Sequence, residues 1–221
     1  MALVRVVEPE LMDGDAQSEA YARADFAGPN ELFCRELAAR IPAIADARVV
    51  DLGCGPADIP IRLARAHPGW RLDAVDGAAA MLRHARHAID AARLGGKIAL
   101  HHARLPDVPL PDHVFDLAIS NSLLHHLHAP EVLWREIVRL GRAGATVAVM
   151  DLVRPDNTHQ VRAIVDRYAA DEPEVLREDF CNSLCAAFTP AEVRSQLVVA
   201  GLGHFTVEPI SDRHLFVCGV L

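Results

Sequence analysis

Two acids and two glycines, set at fixed spacing, are the residues in this chain most suggestive of chemistry. Asp51-Leu52-Gly53-Cys54-Gly55 follows the apolar pair Val49-Val50, and Asp76 stands 23 residues after Gly53, at the end of a second apolar stretch. Two glycines this close permit a tight turn and let a ligand approach the backbone. Asp51 is placed to meet a cationic group, and Asp76 to accept hydrogen bonds from both hydroxyls of a ribose. A second set comes later: Asn121, His125 and His126 with His128 nearby, then Asp151. Imidazole and carboxylate groups are common proton carriers in catalysis. A histidine run in a loop is more often packing or surface than a metal site. No acid or cysteine is spaced in sequence to complete one here, so no metal is expected.

The elements that must position these groups alternate. Arg48–Leu52, Trp70–Val75, Lys97–His102, Phe115–Ser120 and Thr146–Val153 read as five short buried strands. Between them lie helical stretches: Ile59–His67 with Asp58 as N-cap, Ala78–Arg93 stopped by Gly95-Gly96, and Glu131–Gly141. Strands alternating with helices of this length imply βαβ units and an α/β fold with a mostly parallel sheet. Upstream, residues 16–42 look helical with an interruption at Gly28-Pro29, and downstream residues 156–187 look helical. Thr189-Pro190-Ala191-Glu192 is a capping-box sequence opening a helix that ends at Gly201. His204–Pro209 and His214–Val220, joined by a short loop, are predicted to form an antiparallel hairpin. The expected organisation is one domain over 1–221, with an N-terminal helical cap (1–45), a ligand-binding core (46–153), a helical cap insertion (154–187) and a closing helix and hairpin (188–221).

The bulk numbers restrict the function classes. The chain has 221 residues, 51% apolar and 24% charged, enough for one large core. A formal charge of −8 and a single lysine, Lys97, argue against broad binding to nucleic acid, which needs a positive surface. No apolar stretch approaches the roughly 18 residues of a membrane span. Five scattered cysteines without framework spacing read as reduced thiols, so the expected location is the cytoplasm. Cys181 and Cys185 would share a helix face as core or pocket lining.

The glycine turn also discriminates between ligands. A dinucleotide turn has a third glycine three positions after the second, where this chain has Asp58. A carboxylate there would oppose a pyrophosphate at the helix N-terminus but not S-adenosylmethionine (SAM), which carries an amino group and a sulfonium. At this point the chain resembles the class I SAM-dependent methyltransferases, especially small-molecule enzymes of the ubiquinone/menaquinone-methyltransferase-like branch. The likeness runs over residues 48–152 and more loosely through the terminal hairpin. VVDLGCG at 49–55 matches the family's glycine motif, Val75-Asp76 its ribose acid and Met81-Leu82 the hydrophobic pair beyond. Val108–Asp116 and Leu124-His125-His126 match two later motifs. The resemblance implies a seven-stranded sheet of order 3-2-1-4-5-7-6, strand 7 antiparallel. It implies SAM as cofactor, bound by Asp51, Gly53, Cys54, Gly55, Asp76, Gly77, Met81, Arg104, Leu105 and Asn121. One departure stands out: Arg104 lies where the family often has an adenine-binding Asp, leaving the adenine to backbone groups of Arg104 and Leu105.

The expected reaction is in-line methyl transfer to a small-molecule acceptor. Asn121 is expected near the transferred methyl, His125 or His126 as general base, and Asp151 as base or orienter. Tyr21, Phe26 and Asn30 from the N-terminal cap, with Arg154, Asn182 and His214, are the candidate acceptor contacts; Tyr168 is read as packing. No nucleic acid or membrane partner is expected, and a homodimer is left open. The alternatives are a non-catalytic SAM-binding protein and a nucleotide-dependent oxidoreductase. An RNA or protein methyltransferase is disfavoured by the acidic charge.

Overall fold

The computed structural model describes residues 3–9, 21, 26–42 and 44–221. Seven strands form one sheet: β1 (Arg48–Leu52), β2 (Arg71–Asp76), β3 (Ile98–His102), β4 (Phe115–Asn121), β5 (Gly141–Leu152), β6 (Thr206–Pro209) and β7 (His214–Val220). Their order is β3-β2-β1-β4-β5-β7-β6, as the resemblance implied. β1 to β5 pair in parallel, while β7 runs antiparallel to both β5 and β6.

Successive strand residues point to opposite faces, so each face has its own core. Val49, Leu72, Leu117 and Ile119 pack under helices α1 (Ala27–Arg40), α2 (Asp58–Ala66) and α3 (Ala79–Ala91). Val50, Val75, Ala118, Val147 and Val149 pack on the other face, beneath α4 (Glu131–Leu140) and α7 (Pro190–Val199). The two helices α5 (Thr158–Tyr168) and α6 (Glu174–Ala186) form a smaller apolar cluster beyond the end of β5. Cys181 and Cys185 lie against that cluster, half-buried and unpaired by disulfide.

Several boundaries differ from the sequence reading for identifiable reasons. α1 begins at Ala27 and runs through Gly28-Pro29, because a proline in the first turn lacks only an N–H that has no helical partner anyway. Asp58 is the first helical residue of α2; the N-cap position is held by Ala57 at φ 68°, so Asp58 does not cap the helix. β5 starts directly at Gly141, five residues early, its first residue pairing with Phe115 ahead of a register shift. The 156–187 stretch is two helices, divided before Pro173. The capping box at Thr189 and Glu192 is present in full. Most of the residues 16–25 read as helical lie outside the described residues. Residues 3–9 have no helix; they run as an irregular strap past the link between β5 and α5, where the Leu3 N–H meets the Asp156 carbonyl, and the end of α6, where the Val6 N–H meets the Cys185 carbonyl. No described helix is long and apolar enough to cross a membrane.

Candidate active site

Tyr21, Phe26, α1 and the loops after β1, β2, β3 and β4 surround a cavity of about 410 Å³ at the carboxyl ends of the strands. That is where open α/β sheets bind ligands, beside the reversal in strand order between β1 and β4. The volume falls within the roughly 300–1,000 Å³ range of small-molecule sites.

The glycine loop forms the floor. Gly53 and Gly55 adopt φ of 79° and 52°, in the left-handed region that favours glycine. A Cβ on Gly53 would also lie 2.9 Å from Cβ of Leu123, so the turn after β4 fixes glycine there a second time. The N–H groups of Gly53 and Cys54 both donate to the Val75 carbonyl at 2.9 Å, tying the loop to the end of β2. Asp76, the last residue of β2, accepts from the Gly55 N–H through Oδ2 and from the Ala78 N–H through Oδ1, each at 2.8 Å. Its carboxylate is therefore held in place on the cavity wall, where Gly77, Ala78 and the buried Met81 continue the lining.

Asp51 is 2% exposed and lines the same cavity. Burial, with the nearby Asp76 charge, pushes its carboxyl up to about 8. Among the described residues no cationic side chain pairs with it. A buried carboxyl in this position gains most from a cation in the cavity. Asn121, at the end of β4, has its Oδ1 buried without a hydrogen-bond partner while it faces the same space. An orphan acceptor of this kind calls for a bound donor. A ligand carrying an ammonium, a ribose and an adenine fits this set. The observations that test the fit are the Asp51 carboxyl, the fixed Asp76 carboxylate and the glycine floor. The lining after β3 is Ala103, Arg104 and Leu105, with Arg104 exposed, so among the described residues this loop offers an adenine no side-chain acceptor.

Residues 49–144 match a family described as a methyltransferase domain. The trans-aconitate 2-methyltransferase of Paracidovorax citrulli is 37% identical over 126 residues, covering 57% of this chain and 45% of that one. The enzyme of the same name from Rhodopseudomonas palustris is 30% identical over 179 residues, 81% of this chain and 63% of its own. A solved SAM-dependent methyltransferase structure from Aquifex aeolicus superposes with a TM-score of 0.67 at 16% identity, covering 94% of this chain and 98% of that one. Sheet order, glycine loop and these matches make the chain similar to the class I SAM-dependent methyltransferases, whose fold it shares. The chain spans about half the length of the first curated relatives it matches.

The remaining candidates divide. The Tyr21 and Phe26 rings pack at a tilt with centroids 4.4 Å apart and line the cavity together with Asn30. Burial pushes the Tyr21 hydroxyl up to about 12, so it stays protonated. Asn30 Nδ2 donates to Asp58, which Arg62 also holds at 2.5 Å. The Asp58 charge is thus shared with Arg62, which weakens its opposition to a pyrophosphate. His126 forms part of the wall; burial and the His125 charge push it down to about 3, so its ring is neutral.

His125 and Asp151 do not reach the cavity. His125 Nδ1 meets Asp151 Oδ1 at 2.5 Å, and both are fully buried behind the wall. Burial alone would lower the His125 pKa, but the Asp151 charge and hydrogen bond, aided by Glu8, raise it. Burial would raise Asp151, yet His125 and the Leu152 N–H hold it below the usual carboxylate range. Three acceptor candidates are also misplaced. Arg154 is buried and spent on the Ala187 carbonyl and Glu192, the capping-box acid. Asn182 lies exposed on α6, outside the cavity. His214 is buried, bonded to Ser211 Oγ, and pushed down to about 4 by burial and Arg213.

The strap supplies residues that the sequence reading missed. Arg5 donates to the carbonyls of Ala186, His125 and Leu127, and its guanidinium lies 3.9 Å from the centre of the Phe188 ring. Glu8 comes within 3.5 Å of His125 and 3.2 Å of His126. No spacing signal joins residue 8 to residue 125; only the fold brings them together.

The Asp51 carboxyl sets a pH dependence. Its folded value, about 8, lies above the ordinary one, so in the ligand-free protein at pH 7 it is mostly protonated. Binding a cation ionises it and expels a proton. Affinity for SAM is therefore expected to rise about tenfold from pH 6 to pH 7 and level off above pH 8. Calorimetry in buffers of different ionisation enthalpy checks this. A binding enthalpy independent of buffer would contradict it.

Proposed function

We propose that the protein transfers the SAM methyl group to a small-molecule acceptor by in-line displacement. The observation that carries this reading is that one cavity is lined by the cofactor groups Asp51, Gly53, Gly55 and Asp76 and also by Asn121, Tyr21, Leu127 and His126. SAM supplies an electrophile that is already activated, so this chain's residues have to align the acceptor and exclude water. Asp51 and Asp76 fix the two ends of the cofactor. Asn121 Oδ1 accepts a hydrogen bond near the reacting carbon. Tyr21 and Phe26 close the cavity over it as an apolar lid with one hydroxyl.

Among the described residues a proton acceptor of ordinary strength is missing from the lining near Asn121. His126 is too weak a base, and His125 is out of reach behind the wall. His125 and Asp151 are therefore positioning residues in this reading and not the base. Among the described residues cationic groups are also few. Of the lining guanidiniums, Arg62 is held by Asp58 and Glu31, and Arg104 stands exposed. A tricarboxylate such as the substrate named for the relatives finds little to bind, which favours an acceptor with less negative charge.

The test is incubation of the protein with methyl-labelled SAM and a metabolite extract, followed by mass spectrometry. A labelled small molecule is expected. S-adenosylhomocysteine formation with label only on macromolecules, or none at all, would overturn the reading. Asn121→Ala is expected to lower kcat about tenfold or more while changing SAM affinity less. Equal loss of both would place the acceptor elsewhere.

A further inference from the structure

Glu8 Oε1 faces His126 Nδ1 at 3.2 Å and His125 Nε2 at 3.5 Å, and the three atoms lie within 4.8 Å of one another. His126 Nδ1 is buried and accepts or donates no hydrogen bond, although the ring's other side bonds the Pro9 backbone. A neutral imidazole that gives its proton to a carbonyl turns a lone pair to its other side. Here that lone pair meets a carboxylate. Two acceptors in contact inside a protein repel unless something positive lies between them.

We propose that Glu8, His125 and His126 form a binding site for one divalent first-row transition-metal ion, on the acceptor side of the cavity. The distances suit it. Two ligand atoms each about 2.1 Å from one ion stand about 3.0 Å apart at a right angle and about 3.4 Å apart at the tetrahedral angle. Of the two observed separations, 3.2 Å falls in that range and 3.5 Å lies just above the tetrahedral value. Two imidazoles and one carboxylate suit zinc, iron(II), cobalt or manganese better than magnesium or calcium, which prefer oxygen.

The surrounding groups orient the ligands as metal sites require. His125 Nδ1 donates to Asp151, which fixes Nε2 as the ligating nitrogen. Ser183 Oγ lies 3.1 and 3.3 Å from the two Glu8 oxygens and holds that carboxylate from α6. The strap itself is anchored by Arg5 on both sides of the histidines, through the His125 and Leu127 carbonyls. His126 also lines the cavity, so the ion would lie next to the acceptor. Resting on the proposed methyl transfer, its chemical role would be to bind an acceptor oxygen and favour its deprotonated form, which answers the missing base. Metal binding itself does not depend on that role.

The test uses the tag-free full chain, stripped with a chelator and titrated with zinc, manganese and cobalt(II) by calorimetry, with cobalt followed by its visible spectrum. One equivalent is expected to bind, with cobalt bands reporting nitrogen ligands. Glu8→Gln, which keeps the size of the side chain, and His126→Ala are each expected to weaken binding at least tenfold while SAM still binds. SAM affinity and circular dichroism show that each variant is folded. No stoichiometric uptake by the wild-type chain, or uptake unchanged in both variants, would overturn the proposal. Metal binding without any labelled methyl product would instead overturn the methyl-transfer reading and leave the metal site standing.

Discussion

Asp76→Ala is expected to weaken SAM binding at least tenfold, measured by calorimetry at a fixed pH. Two losses combine. The ribose loses its carboxylate partner, a charge-assisted pair of the stronger kind. The glycine floor also loses its anchor, because Asp76 takes the Gly55 N–H through one oxygen and the Ala78 N–H through the other. Without it, two backbone donors at the cavity wall go unpaired, and the loop that must sit under the cofactor is free to shift. Asp76→Asn separates the two effects. Its carbonyl can still accept one of these bonds, so it should hold the loop better than alanine while still losing ribose affinity. Unchanged affinity in Asp76→Ala would mean that the ribose is not at β2.

The second large effect concerns stability. Asp151→Ala is expected to destabilise the folded chain by about 3–5 kcal/mol, the usual loss when one partner of a buried pair is removed. In a domain of this size that is roughly 6–20 °C of Tm. The reason is specific to the geometry. Asp151 accepts from His125 Nδ1 at 2.5 Å, from the His125 N–H at 3.2 Å and from the Leu152 N–H at 2.6 Å. Removing it strands an imidazole that is 3% exposed, and two backbone donors with it. SAM should still bind the folded fraction, since neither residue lines the cavity. A Tm within 2 °C of wild type would contradict the pair's structural role.

The sheet was legible because its signals are local. Each of β1 to β4 is a short, largely apolar run with a polar residue at or next to its carboxyl end, and the loops between carry the punctuation that fixes their ends. The order of strands came from the family resemblance, which the closing hairpin supported. The cofactor side of the site was legible for the same reason: Asp51, the glycines and Asp76 sit on consecutive strand ends, so chain order and spatial order agree. Asn121 followed from its place at the end of β4.

The acceptor side was not legible, because its residues converge from distant segments. His125 and His126 are neighbours in sequence, yet one is locked to Asp151 behind the wall and the other faces the cavity. Nothing in the pattern of a short 3-10 turn says which ring points inward. Arg154 looked like a substrate contact at the end of β5, but the capping box that had been read separately takes it through Glu192. Asn182 sits on the outer face of α6, a helix whose start depends on a break before Pro173 that periodicity did not place. Glu8 had no motif around it at all. Its role follows only from the strap's path across the Ala186 and His125 carbonyls.

The central claim is that this cavity binds SAM through Asp51, the glycine floor and Asp76. It is tested most directly by titrating the wild-type chain with SAM and, separately, with NAD in the calorimeter. One equivalent of SAM should bind with proton release at pH 7, and NAD should bind at least a hundredfold more weakly. Tighter binding of NAD, or no binding of SAM at all, would contradict it.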